Sequence, residues 1–229
     1  RFVSLRPMCR RHSWSASFDT DHDFLRRMVI ARIVMVMSGI GAIAKKAALA
    51  CAKRGVEFEA ARRRANSART AAKRAIALVR HADQEAAGEF IATAEKELGA
   101  LARLSRTNSR LLAESFYREA SEEYVEAKAL AALVAHARFT LPAGIVVAPE
   151  EMLGGLADAT GELVRRAVTI AHEEGALTEL ERYRSTALAL SHELAAVSES
   201  GKLRQKHDEV ERNLHRLEQL IYETKGRGK

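Results

Sequence analysis

A run of apolar residues at helical spacing most strongly limits the folds open to this chain. Between about Ile40 and Arg80 the apolar positions recur every three or four residues, the period of one helix face; they are Ala61, Ala65, Ala68, Ala72, Ile76 and Val79. Aromatic residues, which sheets favour, make up only 5% of the 229 residues, and there are three prolines. The sequence therefore predicts an all-α fold.

Periodicity and capping residues divide the rest of the chain into further helices. We expect them at about residues 86–104, 110–136, 149–175, 178–197 and 202–222, with Pro149 in the first turn of the third of these. The chain is long enough for one sizeable core. The predicted architecture is a single-domain antiparallel bundle of about six to seven helices.

The first 36 residues differ from the rest of the chain. Residues 1–24 contain the only Trp and show no periodicity, while Met37 shortly precedes the clean helical pattern. We expect residues 1–36 to be a disordered or non-native leader and residues 37–229 to form the folded domain.

Two features bear on the compartment. The most apolar run, Met28 to Ala44, contains Arg32 and is at best marginal in length for a membrane span. A weak resemblance to a secretory signal ahead of Cys51 is interrupted by two lysines. The two cysteines lack metal-ligand spacing, so a cytoplasmic protein without membrane association is expected.

Charge is distributed unevenly along the chain. Residues 1–84 hold 18 Lys and Arg against 6 Asp and Glu, and the remaining residues hold 19 against 24. A basic surface attracts polyanions, so nucleic acid and acidic membranes are both candidate partners.

Two predicted helices carry paired carboxylates. Glu123 and Glu126 are three residues apart, and Asp158 and Glu162 are four apart, so each pair shares a helix face. If these helices pack antiparallel, four carboxylates converge, and such a cluster is tolerated when a cation binds it or some members are protonated. Oxygen ligands suit Mg²⁺ or Mn²⁺. The alternative is two solvated acidic faces.

Three glycines, Gly154, Gly155 and Gly161, surround Asp158 in a helix that could have used alanine. Gly154 and Gly161 share its face. We expect Gly161 to face the helix bearing Glu123 and Glu126, with no room there for a methyl group.

Basic side chains provide a second candidate surface. Arg62, Arg69, Lys73 and Arg80 lie close to one line on the first helix and are candidate phosphate contacts. Arg165 and Arg166 follow the acidic pair and are candidates for steadying a scissile phosphate. Solvated helix faces are the alternative for both groups.

The segments "EEYVEA" and "GLADATGELVRR" together resemble the translin family, specifically its translin-associated factor X branch. The basic helix "FEAARRRANSARTAAKRAIALV" and the last helix "KLRQKHDEVERNLHRLEQLIYE" extend the resemblance over roughly residues 56–223. The acidic residues of that branch correspond here to Glu123, Glu126 and Asp158, with Glu162 in an adjacent matching position. Because Glu122 and Glu123 stand side by side, which of them faces the site stays open.

The resemblance implies a hollow homo-oligomer, usually an octamer, that binds single-stranded RNA or DNA. In the factor X branch it also implies an endoribonuclease dependent on Mg²⁺ or Mn²⁺, with catalytic residues Glu123, Glu126 and Asp158 and with Glu162 as a further metal ligand. The alternative is a catalytically inactive translin-like scaffold that uses only the basic surface.

Overall fold

The computed structural model describes residues 19–197 and 201–227, and these residues form six α-helices and one 3₁₀ turn without a strand. The helices are α1 (Asp19–Arg80), α2 (Gln84–Ser105), α3 (Ser115–Val134), α4 (Pro149–Ile170), α5 (Ala176–Ala195) and α6 (Gly201–Arg227); the 3₁₀ turn spans Ser109–Ala113. The predicted all-α fold class is confirmed.

Two helices begin at different places from those expected. Helix α1 begins at Asp19, so residues 19–36 of the expected leader are helical, whereas residues 1–18 lie outside the described part of the chain. Helix α3 begins at Ser115 because the preceding residues form the tighter 3₁₀ turn, and the helix has no side-chain cap. The other four helices lie within a few residues of their predicted bounds at most ends.

The chain divides into two units, Arg1–Val56 and Glu57–Lys229. In the first, every side chain from Phe24 to Val56 is exposed. From Phe24 onward α1 is long and apolar enough to cross a membrane, a test that signal sequences and core helices also pass. The second unit contains the core, in which the alanine stripe of α1 is buried with Leu98, Tyr124 and Leu163.

Helices α3 and α4 run parallel. Arg118 near the start of α3 contacts Glu151 near the start of α4, and one turn later Glu122 lies against Gly154 and Gly155. The residue numbers of these contacts increase along both helices together. The antiparallel packing expected as one possibility for this pair is therefore wrong. The connection of residues 135–148 returns the chain to the end of the bundle at which α3 begins. The acidic pairs of α3 and α4 therefore lie at the same level along the two helices.

Helices α3 and α4 approach each other closely at Gly155. A Cβ atom built there would lie 2.4 Å from the backbone oxygen of Glu122 and 2.7 Å from Val125 Cβ. At Gly161 the nearest atom to such a Cβ would be Asn213 Nδ2 of α6, at an ordinary 3.6 Å. The expectation that Gly161 faces α3 without room for a methyl group is therefore wrong. The position faces α6 and has room.

Alanine substitution tests this packing. Gly155→Ala should lower the free energy of unfolding by about 1–3 kcal/mol, because the added methyl collides with helix backbone that cannot yield cheaply. Gly88→Ala in α2, where nothing lies within 4 Å, should instead raise it by up to about 1 kcal/mol through helix propensity. Urea unfolding of both variants measures the difference, and equal stabilities would contradict the α3–α4 contact.

Candidate functional site

A polar cleft of about 350 Å³ opens where α3, α4 and α6 meet. Its acidic wall contains Glu126 from α3 together with Asp158 and Glu162 from α4. The rest of the lining comes from further residues of α4 and from the facing residues of α6: Ala157, Gly161 and Arg165 on α4, and Glu209, Arg212 and Asn213 on α6. Three of the four carboxylates predicted to form a site thus share one cleft.

Glu126 is the most strongly perturbed group in the cleft. Burial, followed by the negative charges of Asp158, Glu123 and Glu162, raises the pKa of Glu126 to about 8. Among the described residues, no basic side chain lies within ion-pair distance of it, although the more distant Lys206 opposes the shift. A half-buried carboxylate with three acidic neighbours gains stability from a proton or from an added cation.

Asp158 already has a cation beside it. Lys206 Nζ of α6 donates to Asp158 Oδ1 at 2.5 Å, and the same ammonium lies 3.5 Å from Glu122 Oε1. Burial nevertheless raises the pKa of Asp158, although the ammonium opposes the change. The ammonium therefore offsets only part of the cost of burying Asp158.

The adjacent glutamates of α3 point to different neighbours. Glu122 turns towards α4 and α6, where it contacts Lys202 and Lys206. Glu123 turns towards α1, where Lys73 Nζ lies 3.1 Å from its Oε1. Both lie at the edge of the carboxylate cluster, with Glu126 at its centre.

Glu162 is held by two arginines. Arg165 Nη1 lies 2.5 Å from Oε1, and Arg80 Nε lies 3.3 Å from Oε2 without forming a hydrogen bond. The side chain of Glu162 is only 8% exposed, whereas that of Arg165 is 65% exposed. Arg165 can therefore turn to a bound anion more readily than Glu162 can leave its place.

The donor set fits a hard divalent cation, because oxygen-only carboxylate ligands are those that Mg²⁺ and Mn²⁺ prefer. In the part of the chain that the structure describes, however, no three ligating side chains converge on one point. To bind an ion, Glu123, Asp158 and Glu162 would have to exchange their present Lys and Arg partners for it.

The candidate phosphate contacts occupy different environments. Arg62 is exposed, Arg69 pairs with Glu119, and Lys73 and Arg80 pair with acidic residues of the cluster as described above. Arg166 points into the bundle, where Nε lies 3.3 Å from the Tyr183 hydroxyl and Nη1 lies 3.4 Å from the Val79 carbonyl oxygen. Arg62 and Arg69 are therefore the two members of the stripe that do not contact a carboxylate of the cluster in the described part of the chain.

Sequence reasoning missed the contribution of α6. Lys206, Glu209 and Asn213 lie at positions i, i+3 and i+7, so their polar side chains share one face of that helix. Asn213 Nδ2 donates to Thr160 Oγ1 at 2.9 Å, which fixes this face against α4. A polar stripe at helical spacing was the available signal, although its partner helix was not readable from the sequence.

The pKa of Glu126 predicts a pH-dependent stability. Between its ordinary pKa of 4.5 and about 8, the folded protein retains a proton that the unfolded chain releases, so the free energy of unfolding falls as pH rises. In EDTA, Glu126→Gln should reduce this fall between about pH 5 and pH 9 by about 1–3 kcal/mol. Urea unfolding across that range measures it, with the exposed Glu181→Gln as control. Identical pH profiles for wild type and Glu126→Gln would contradict the assignment.

Comparisons with known proteins place this chain in a family. The sequence profile of the Translin family matches residues 57–228. The fold is similar to that of apo-NeC3PO, with 18% identity, a TM-score of 0.66 and coverage of 75% of this chain and 91% of that chain. A structure of AfC3PO is 25% identical, with a TM-score of 0.66 and coverage of 76% and 95%. A structure of AfC3PO with duplex RNA is 26% identical, with a TM-score of 0.64 and coverage of 76% and 94%. No curated protein matches significantly. The profile match spans most of the chain, which therefore belongs to the translin family.

Proposed function

We propose that this protein is a divalent-metal-dependent endoribonuclease of the translin-associated factor X branch, which binds single-stranded RNA, and also DNA, as a hollow homo-oligomer, in this family usually an octamer. The observation that carries the proposal is the half-buried Glu126 carboxyl, which has acidic neighbours on α3 and α4 and lines an open cleft. A carboxylate cluster of this kind costs stability unless a cation lies beside it or some of its members are protonated.

Nucleic-acid binding is supported by the relatives and by charge. The AfC3PO structure with duplex RNA is of a protein 26% identical to this chain. The exposed Arg62 and the half-exposed Arg69 can contact phosphates without sequence preference. Because that relative holds a duplex, the proposed preference for single strands needs a direct comparison of both substrates.

We assign a separate role to each group of residues around the cleft. Glu123, Glu126, Asp158 and Glu162 would hold Mg²⁺ or Mn²⁺, which when bound supplies charge stabilisation and activation of water for phosphodiester hydrolysis. Arg165 and Arg212 are exposed and line the cleft, so their guanidinium groups can bind phosphate oxygens. Asn213 and Thr160 hold α6 against α4 and keep the cleft walls in place.

A catalytically inactive, nucleic-acid-binding scaffold is the second candidate, and one observation favours it. Three of the four proposed ligands already have a basic partner: Glu123 has Lys73, Asp158 has Lys206, and Glu162 has two arginines. A cluster neutralised from within the chain is stable without metal. The two candidates differ in whether a divalent cation displaces these partners.

Removal of two carboxylates separates catalysis from binding. Glu126→Gln with Asp158→Asn should reduce Mn²⁺- or Mg²⁺-dependent cleavage of labelled single-stranded RNA to the level seen in EDTA. RNA affinity should be unchanged or slightly higher, because negative charge near phosphate is lost. The exposed Glu181→Gln on α5 serves as a control. Full cleavage by the double variant would refute the active-site assignment, and absence of metal-dependent cleavage by the wild type would favour the scaffold.

The salt dependence of RNA binding tests the basic surface. Arg62→Ala with Arg69→Ala should make the slope of log affinity against log salt shallower, by up to about 0.7 for each lost phosphate contact. The matched control replaces Lys96 and Arg103, two exposed cations of α2. Fluorescence anisotropy at several salt concentrations gives both slopes. If the control changes the slope as much as the test variant does, the binding surface is not at this part of α1.

A further inference from the structure

Lys206 occupies an unusual position for a lysine. Its side chain is only 16% exposed, and its ammonium contacts carboxylates from three helices. Asp158 Oδ1 of α4 lies at 2.5 Å, Glu122 Oε1 of α3 at 3.5 Å, and Glu209 Oε2 of α6 itself at 3.9 Å. One positive charge is therefore shared among three negative ones.

The neighbouring Lys202 shows that these contacts are specific to Lys206. Lys202 stands one helical turn earlier on α6, and its one carboxylate contact among the described residues is with Glu122; 44% of its side chain is exposed. Lys206 is less exposed and is the only lysine in the described chain that contacts Asp158. Its ammonium lies beside Oδ1, one of the two oxygen atoms through which Asp158 would bind an incoming cation.

We propose that Lys206 is a tethered counter-ion that holds Asp158 in the metal-free protein and competes with a divalent cation for it. The inference rests on the proposed function only in taking a divalent cation to be the ligand of the cleft. Removing a largely buried cation from its carboxylates leaves the charge of Asp158 without a partner among the described residues, so the metal-free cluster depends on Lys206. Ion binding breaks the Lys206–Asp158 contact, and this exchange lowers the affinity for the ion.

The test compares two lysine-to-methionine variants of the full chain. Lys206→Met should bind Mn²⁺ at least about 10-fold more tightly than wild type, because the ion no longer displaces a charge-assisted hydrogen bond. Lys202→Met, which removes the exposed neighbour, should leave the affinity within about twofold of wild type. Isothermal titration with Mn²⁺ alone, without RNA, gives the dissociation constants.

Thermal melting provides an independent readout. In EDTA, Lys206→Met should melt below both wild type and Lys202→Met, and saturating Mn²⁺ should raise its melting temperature by more than it raises that of wild type. In Lys206→Gln the side-chain amide can still donate a hydrogen bond to Asp158, but the positive charge of the lysine is lost. This variant should also bind Mn²⁺ more tightly than wild type.

The outcomes separate this inference from the proposed function. If wild type binds Mn²⁺ in the cleft but neither Lys206 variant binds it more tightly, competition by Lys206 is refuted and the metal site stands. If neither wild type nor any Lys206 variant binds Mn²⁺, both the competition and the proposed metal-dependent function are refuted. Tighter binding by both Lys206 variants, with Lys202→Met unchanged, supports the counter-ion.

Discussion

The close approach of α4 to α3 at Gly155 is the contact on which the candidate site depends. A side chain at this position would collide with the Glu122 carbonyl and with Val125, so only glycine allows the two backbones to come this near. The parallel course of the helices then places the next turn of each, with Glu126 and Asp158, beside the other. The tight packing that stabilises the bundle therefore also brings the carboxylates of α3 and α4 close together.

That charge explains the distribution of basic residues around the cluster. Lys73 and Arg80 of α1, Arg165 of α4 and Lys206 of α6 each contact one of its carboxylates. Burying like charges together is costly, and ion pairs from surrounding helices offset part of the cost. Glu126 at the centre has no such partner among the described residues and instead has a raised pKa. The carboxylate cluster is therefore one that a cation would stabilise, and basic side chains of the same chain already offset part of its charge.

The sequence predicted the helices because alanine spacing and turn residues are local signals. It also identified the acidic pairs, since i, i+3 and i, i+4 spacing determines which side chains share a face. The direction of α3 relative to α4 was not predictable, because a connection of fourteen residues permits either direction. For the same reason Gly161 was assigned to the wrong neighbour, and Lys206 was missed although its own helix was predicted. Contacts between helices distant in sequence depend on packing that no local pattern reports.

The central claim is that the carboxylates between α3 and α4 form a divalent-cation site that is reached by displacing Lys206. Crystals grown with Mn²⁺ and measured near the manganese absorption edge test it most directly. The account predicts an anomalous peak within coordination distance of Glu126 and Asp158, with Lys206 Nζ no longer hydrogen-bonded to Asp158. Crystals saturated with Mn²⁺ that show no peak in the cleft, with the Lys206–Asp158 contact intact, would contradict it.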